Sequence, residues 1–285
     1  MIPAPFEYYS PSSLSDAVNF LTAHRDDVKI LSGGQSLLPL MKMRLAKPGF
    51  VVDVGRIAGL DMIVEERNNI VVGAMATHAQ IEDSELLRKR CPLLPQTAAT
   101  IADVQVRNRG TIGGSLAHAD PAGDMPPAIL ALDGEIKAVG PNGQRWIKAE
   151  DFFLGLLTSA LEPDEIVTAV TVPVTDSEKT AYLKAAPRSS GFAVVGVAVR
   201  MTIDSSQTCS RIAVGITGVA DKAYRAGGVE NALAGKKLDV KPIEQAAAES
   251  TRNIDVIEDI NGSAEYRTHL THVYVARAIL AASQS

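Results

Sequence analysis

The chain of 285 residues is poor in cysteine: Cys91 and Cys209 stand far apart, with no CxxC or Cys/His cluster around either. Iron–sulfur clusters and structural zinc need several closely spaced thiolate or imidazole ligands, so this chain cannot hold either by itself. Two buried thiols in a reducing compartment are expected instead. Basic charge is also scarce. Lys and Arg number 28 against 33 Asp and Glu, the formal net charge is −5, and no basic run exceeds Arg88-Lys89-Arg90. Phosphate-backbone binding leaves a basic stripe on a protein, so a nucleic-acid partner is excluded. Long apolar runs are missing too: no window approaches the ~20 residues that span a bilayer, and the N-terminus lacks a basic stretch followed by an apolar one. The expectation is a cytoplasmic protein without a membrane-spanning segment.

What is present is an ordinary globular composition, 46% hydrophobic, enough for one large domain or two or three small ones. Near the start, Leu14, Ala17, Val18 and Leu21 recur at helical spacing behind Ser12 and Ser13 as candidate caps. A short strand "VKIL", a helix-like "PLMKMRL" and a strand at Phe50 to Val54 then make a compact βαβ-like unit. The next region reads as a strand at "NNIVVG", helical stretches over Ala79–Arg90 and Leu94–Ala102, a glycine-containing loop and an apolar helix "MPPAILAL". A hairpin with Pro141-Asn142-Gly143 at its turn and a strand "DEIVTAVTVPV" complete it. The polar "TDSEKT", Thr175 to Thr180, is the natural boundary. Beyond it come three strand-like runs and then helices near Val229–Ala234, Ile243–Arg252 and Ala264–Ala282, the order expected of a separate α+β domain with a three-stranded sheet.

Two stretches carry the chemistry: "KILSGGQSLLPL" from Lys29 and "NRGTIGGSLAHADPAGD" from Asn108. Each places a Gly-Gly pair among neutral donors, Gln35 and Ser36 in the first, Thr111 and Ser115 in the second. Glycine lets the main chain approach a ligand closely, and successive backbone amides form a concavity for anions. Two such elements could grip both halves of a pyrophosphate; taken singly, each could equally be an ordinary turn. Spacing excludes a P-loop and does not support a Rossmann fingerprint, since neither G-x-x-x-x-G-K-[ST] nor G-x-G-x-x-G occurs.

The longer stretches "ILSGGQSLLPLMKMRL" and "IADVQVRNRGTIGGSLAHADPAGDMP" resemble the two flavin segments of the medium, FAD-binding subunit of molybdenum hydroxylases, the family of xanthine dehydrogenase and of carbon monoxide dehydrogenase, and the likeness spans essentially the whole chain. The resemblance implies an α+β fold: an FAD-binding domain of the vanillyl-alcohol-oxidase type in two subdomains, residues 1–57 and 58–175, followed by a C-terminal α+β domain, residues 176–285. It implies FAD as cofactor, with Ile30, Leu31, Ser32, Gly33, Gly34, Gln35, Ser36 and Leu37 in the first pyrophosphate segment and Thr111, Ile112, Gly113, Gly114 and Ser115 in the second. Asp124 falls where the family has a carboxylate near the adenosine portion, and Ile101, Val167 and Lys184 where it lines the flavin or its adenine. It further implies two partner chains, a large molybdenum-pterin (molybdopterin) subunit and a small subunit with [2Fe-2S] clusters, in a dimer of heterotrimers, with this chain passing electrons from the clusters through FAD to an external acceptor. Two departures are local. Gln35 stands where carbon monoxide dehydrogenases have His, and Asp103-Val104 where many relatives have a His-Pro or Asp-Pro pair.

Other constellations carry less. His118-Ala119-Asp120 has no nucleophile beside it and reads as a loop-stabilising set; His269 and His272 lack a third metal ligand and read as solvent-facing. Tyr8, Tyr9, Tyr182 and Tyr224 suit core edges, and Arg107 and Arg109 either offset pyrophosphate charge or pair structurally. No catalytic acid or base and no metal ligand is assigned to the chain. A self-contained flavin oxidoreductase of the same fold, or a non-catalytic nucleotide-binding protein, are the competing readings.

Overall fold

The structure is a computed structural model that describes residues 2–187, 191–206 and 208–285. It opens with a three-stranded parallel sheet: β1 (Glu7–Tyr9), α1 (Leu14–Ala23), β2 (Val28–Leu31), α2 (Leu37–Lys42) and β3 (Phe50–Asp53), with strand order β1-β3-β2. The spacing of α1 explains its seat: Ala17, Val18 and Leu21 are buried on one face, and the Ser13 side chain accepts the Asp16 amide as its N-cap. Tyr9 stacks on Phe20 at 4.5 Å between ring centres, and the Tyr8 hydroxyl donates to Asp53 at 2.5 Å.

The second unit contains β4 (Ile63–Glu66), β5 (Asn69–Gly73), α3 (His78–Asp83), α4 (Glu85–Arg90), α5 (Leu93–Ala98), α6 (Val104–Arg107), α7 (Ile112–His118) and α8 (Met125–Ala131). β6 (Glu135–Gly140), β7 (Gly143–Lys148), α9 (Ala149–Phe152), β8 (Phe153–Gly155), β9 (Thr158–Ser159) and β10 (Ile166–Pro173) follow. Its five-stranded antiparallel sheet has the order β4-β5-β10-β6-β7. Thus "DEIVTAVTVPV", last in sequence, lies in the middle of the sheet, which is why Ile166 to Val170 are all buried. β4 is an edge strand with two exposed glutamates, too polar to announce itself. The expected helix over Ala79–Arg90 is two helices, because Ser84 is extended and its hydroxyl caps the second by accepting the Leu87 amide. The helical reading of Leu94–Ala102 holds only to Ala98. The expected second glycine loop is not a loop: Gly113 and Gly114 lie in the first turn of α7.

The third unit is an antiparallel sheet of β11 (Lys179–Ala185), β12 (Val195–Ile203), β13 (Cys209–Thr217) and a fourth, two-residue strand β14 (Tyr224–Arg225), where three strands were expected. It is covered by α10 (Gly227–Leu233), α11 (Val240–Ala247) and α12 (Ala264–Gln284). Alternation along β12 sends Val195, Val197, Val199 and Met201 into the core under α12, while Ala198 faces the core of the second unit. Buried on both faces, the strand reads as one apolar run.

Between the two cores lies α8, all seven of whose residues are buried, as befits a helix apolar all round. It reaches β13 so closely that a Cβ on Gly215 would stand 2.0 Å from the Pro127 carbonyl oxygen. A Gly215→Ala substitution must therefore push helix from sheet. It is expected to cost roughly 1–3 kcal/mol, the range for overpacked cores, read as a lowered midpoint in thermal unfolding.

Candidate functional site

A cleft of about 620 Å³ lies within the roughly 300–1,000 Å³ usual for small-molecule sites. Its first wall is the turn after β2. Gly34 has φ +75°, a left-handed conformation that glycine adopts without strain. The amides of Gly33, Gly34, Gln35, Ser36 and Leu37 donate to no described residue; the first amide bonded inward is that of Leu38, to the Gly34 carbonyl at 3.1 Å. Successive free amides in a turn form a cradle for an anion.

The second wall is the start of α7, and its amides are spent differently. Those of Ile112 and Gly113 donate to the carbonyls of Ala76 and Ala74, and that of Gly114 donates to the Thr111 hydroxyl at 3.1 Å. Its contribution to the cleft is therefore the side chains of Thr111 and Ser115 and the bare surface of Gly113 and Gly114, not a second nest of amides. The glycines here are packing residues: a Cβ on Gly113 would meet that of Ala74 at 2.5 Å.

The two walls touch. A Cβ on Gly33 would lie 2.1 Å from the Arg109 carbonyl oxygen and 2.8 Å from the Gly110 Cα, and the hydroxyls of Ser32 and Thr111 share a hydrogen bond of 2.7 Å. Of the residues expected from sequence, Ile30, Ser32 to Leu37, Ile101, Thr111, Gly113, Gly114, Ser115, Asp124 and Val167 line this cleft. Leu31, Ile112 and Lys184 do not. Leu31 falls on the opposite side of β2 from Ile30, and Ile112 is fully buried in the core. All three Lys184 donors are taken, by Asp124 at 3.0 Å, the Thr100 carbonyl at 2.7 Å and the Gly191 carbonyl at 2.8 Å.

Asp124 thus closes a buried triad, accepting from the Tyr182 hydroxyl at 2.6 Å and from Lys184. Burial holds its carboxyl above the usual range, opposed by the Lys184 charge and the Tyr182 bond. Burial, with Asp124 beside it, pushes the Tyr182 phenol well up. Arg107 is used structurally, donating to Glu82 at 2.7 Å and to the Ile101 carbonyl at 3.0 Å. Asp120 accepts the Ala122 amide at 2.8 Å, a turn-stabilising bond. His272 is half-buried and bonded to Thr251 at 2.9 Å rather than solvent-facing, whereas His269 is exposed. Among the described residues no cluster of three or more metal-ligating side chains occurs.

Sequence reading missed several lining residues, among them His78, Val106, Ala122, Leu157, Leu161 and Phe192. Apolar residues on separate turns carry no local signature; His78, directly after the helix cap Thr77, had a polar signal to find, as did His118 and Asp120, which also line the cleft. His78 is 5% exposed, and its imidazole is pushed down to about 4 by burial first and by the Arg107 charge second.

A lowered histidine gives a definite pH dependence. Between about pH 6.5 and 4 the unfolded chain takes up a proton that folded His78 refuses, so stability is complete above 6.5 and falls as pH drops through that window. The loss is roughly 3 kcal/mol at most, and His78→Leu is expected to flatten this part of the unfolding midpoint against pH.

Residues 4–175 match the FAD binding domain in molybdopterin dehydrogenase, and residues 180–282 the CO dehydrogenase flavoprotein C-terminal domain. The chain is similar to the carbon monoxide dehydrogenase medium chain of Hydrogenophaga pseudoflava, 39% identical with 99% of this chain and 98% of that one covered. It is also similar to the nicotine 6-hydroxylase medium subunit of Paenarthrobacter nicotinovorans, 40% identical with the same coverage. A solved carbon monoxide dehydrogenase from H. pseudoflava superposes with a TM-score of 0.96 at 40% identity, covering 99% of this chain and 98% of that one. Matched over residues 4–175 and 180–282, the chain belongs to the FAD-binding flavoproteins of the molybdopterin dehydrogenase family.

Proposed function

We propose that this chain is the electron-transferring FAD subunit of a multisubunit molybdenum hydroxylase. It receives electrons from [2Fe-2S] clusters on a small partner chain, which draw them from a molybdenum-pterin centre on a large one, and delivers them to an external acceptor. The assembly is a cytoplasmic dimer of heterotrimers, and in this chain residues 1–57, 58–175 and 176–285 act as two FAD-binding subdomains and a C-terminal domain.

The observation that carries this reading is the run of amides from Gly33 to Leu37 that donate to no described residue, in a cleft also lined by Thr111 and Ser115 and closed at the contact of Gly33 with Arg109 and Gly110. Neutral donors around a concavity suit a pyrophosphate, and a Cβ at Gly33 would force the walls apart. FAD, when bound, supplies the redox chemistry, and the protein supplies binding, orientation and electrostatics. The turn amides and the hydroxyls of Ser36 and Ser115 hold the pyrophosphate, and the Thr111 hydroxyl, bonded to Ser32 and to the Gly114 amide, fixes the start of α7 beside it. Ile30, Ile101 and Val167 give apolar surface that excludes water from the rings. Asp124, fixed by Tyr182 and Lys184, sets the edge of the wall formed by Ala122, Gly123 and Gly191. No proton transfer is asked of a side chain. The similarity to medium subunits of both a carbon monoxide and a nicotine enzyme, at 39% and 40% identity, favours no substrate over another.

The test uses the purified full chain and then its complex. The chain is expected to take up equimolar FAD, with flavin absorbance that a Gly33→Val variant loses while its far-ultraviolet dichroism stays. In the complex, removal of FAD is expected to leave cluster reduction by substrate intact and to stop reduction of the external acceptor. Acceptor reduction at an undiminished rate without flavin sinks the proposal.

A further inference from the structure

We propose that His78 is an additional FAD-binding residue, its Nε2–H donating a hydrogen bond to an acceptor atom of the bound dinucleotide; this rests on the cleft being the FAD site. His78 opens α3 behind the capping box of Thr77 and Gln80. Thr77 pairs with Thr111 in an isolated bridge, and the His78 amide donates to the Gly110 carbonyl at 2.9 Å. The backbone of His78 is therefore fastened to the segment that leads into the second wall. Its imidazole lies over Gly110 by one edge: a Cβ there would be 2.9 Å from Cδ2 and 3.3 Å from Nε2. Gly110, His78 and Val106 line the cleft together.

The ring makes no hydrogen bond to a described residue, and Nδ1 is completely buried without a partner. Nearly all buried polar side chains have one, so an unpartnered imidazole beside a ligand cleft calls for an explanation. Arg107 does not provide it, being bound to Glu82 and to the Ile101 carbonyl. A neutral imidazole has one donor and one acceptor nitrogen. Burying an N–H without a partner is the rarer and costlier defect, so the proton belongs on Nε2 and the bare lone pair on Nδ1. That leaves one neutral donor at the Gly110 side of the wall, beside the point where Gly33 and Gly110 meet. It matches the other groups of the cradle in being an uncharged donor. FAD offers acceptors in reach of such a wall in two places, the pyrophosphate oxygens and the flavin ring carbonyls, and the experiment separates them.

Apo full-length chain is titrated with FAD and, separately, with ADP, for the wild type, His78→Leu and His78→Asn, with the thermal unfolding of each apo protein measured alongside. His78→Leu is expected to weaken FAD binding about tenfold, the worth of one net hydrogen bond. His78→Asn, which keeps a neutral donor, is expected to recover most of it. The apo unfolding midpoint of His78→Leu at neutral pH should stay level or rise, since an unpartnered buried polar group has been removed. An equal loss of ADP affinity assigns the bond to the pyrophosphate; unchanged ADP affinity with a shifted flavin spectrum assigns it to the ring. Wild-type FAD affinity in His78→Leu overturns the proposal, as does weakened binding accompanied by a lowered apo midpoint, which marks a structural role. Wild-type chain that binds neither FAD nor ADP refutes the cleft reading itself, a different failure.

Discussion

The site depends on one close crossing of main chains, where Gly33 passes the Arg109 carbonyl and Gly110 with no room for a side chain. The Ser32–Thr111 hydrogen bond, between residues 79 apart in sequence, locks the same crossing from the side. Beside this crossing the residues Gly33 to Leu37 line the cleft with amides that donate to no described residue. What this leaves is an uncharged, narrow concavity that suits an anion, already formed, so that little conformational entropy remains to be lost on binding.

The opposite side is held by α8, which is tied at both ends. Asp124 precedes it and takes Tyr182 and Lys184 from β11. Asp133 follows it and takes Arg200 at 3.3 Å, Arg211 at 2.6 Å and Arg225 at 2.6 Å from the strands of the same sheet. The apolar surface between these ends rests on β12 and β13. The C-terminal sheet thus buttresses the wall of the cleft that Asp124 completes, and the same unit adds Gly191 and Phe192 to the lining, so a cleft built mostly from the first two units needs the third. Burial and the Lys184 charge pull the Asp124 carboxyl in opposite directions, and the pair persists because each partner's remaining valences are satisfied locally.

Much of the organisation was legible in the chain. Ser13 capping α1, the parallel β2 and β3 on either side of α2 and the hairpin at Pro141-Asn142 follow from local spacing, whereas β1 carried no such signal. The two glycine stretches pointed to a dinucleotide because Gly-Gly pairs flanked by neutral donors suit an anion and not a proton transfer. Where reading failed, the competing term was tertiary. Ser84 broke a continuous helical pattern because its hydroxyl capped a new helix, and β4 was hidden because an edge strand need bury only one face.

The sequence by itself determined the chemistry available: too few thiols for a cluster, no nucleophile set, and neutral donors grouped with glycine. It also determined the local elements, since caps, turns and apolar periodicity act over a few residues. Only the tertiary structure decided which donors are free. The amides from Ile112 to Gly114 looked equivalent to those from Gly33 onward, yet the carbonyls of Ala76 and Ala74 and the Thr111 hydroxyl accept them. Lys184, which the resemblance put at the flavin or its adenine, spends its three donors on Asp124, Thr100 and Gly191, while His78 lines the cleft with an Nδ1 that no described residue partners. The physical reason is that a hydrogen-bonding group is available to a ligand only when no nearer partner claims it, and the partners come from segments far away along the chain.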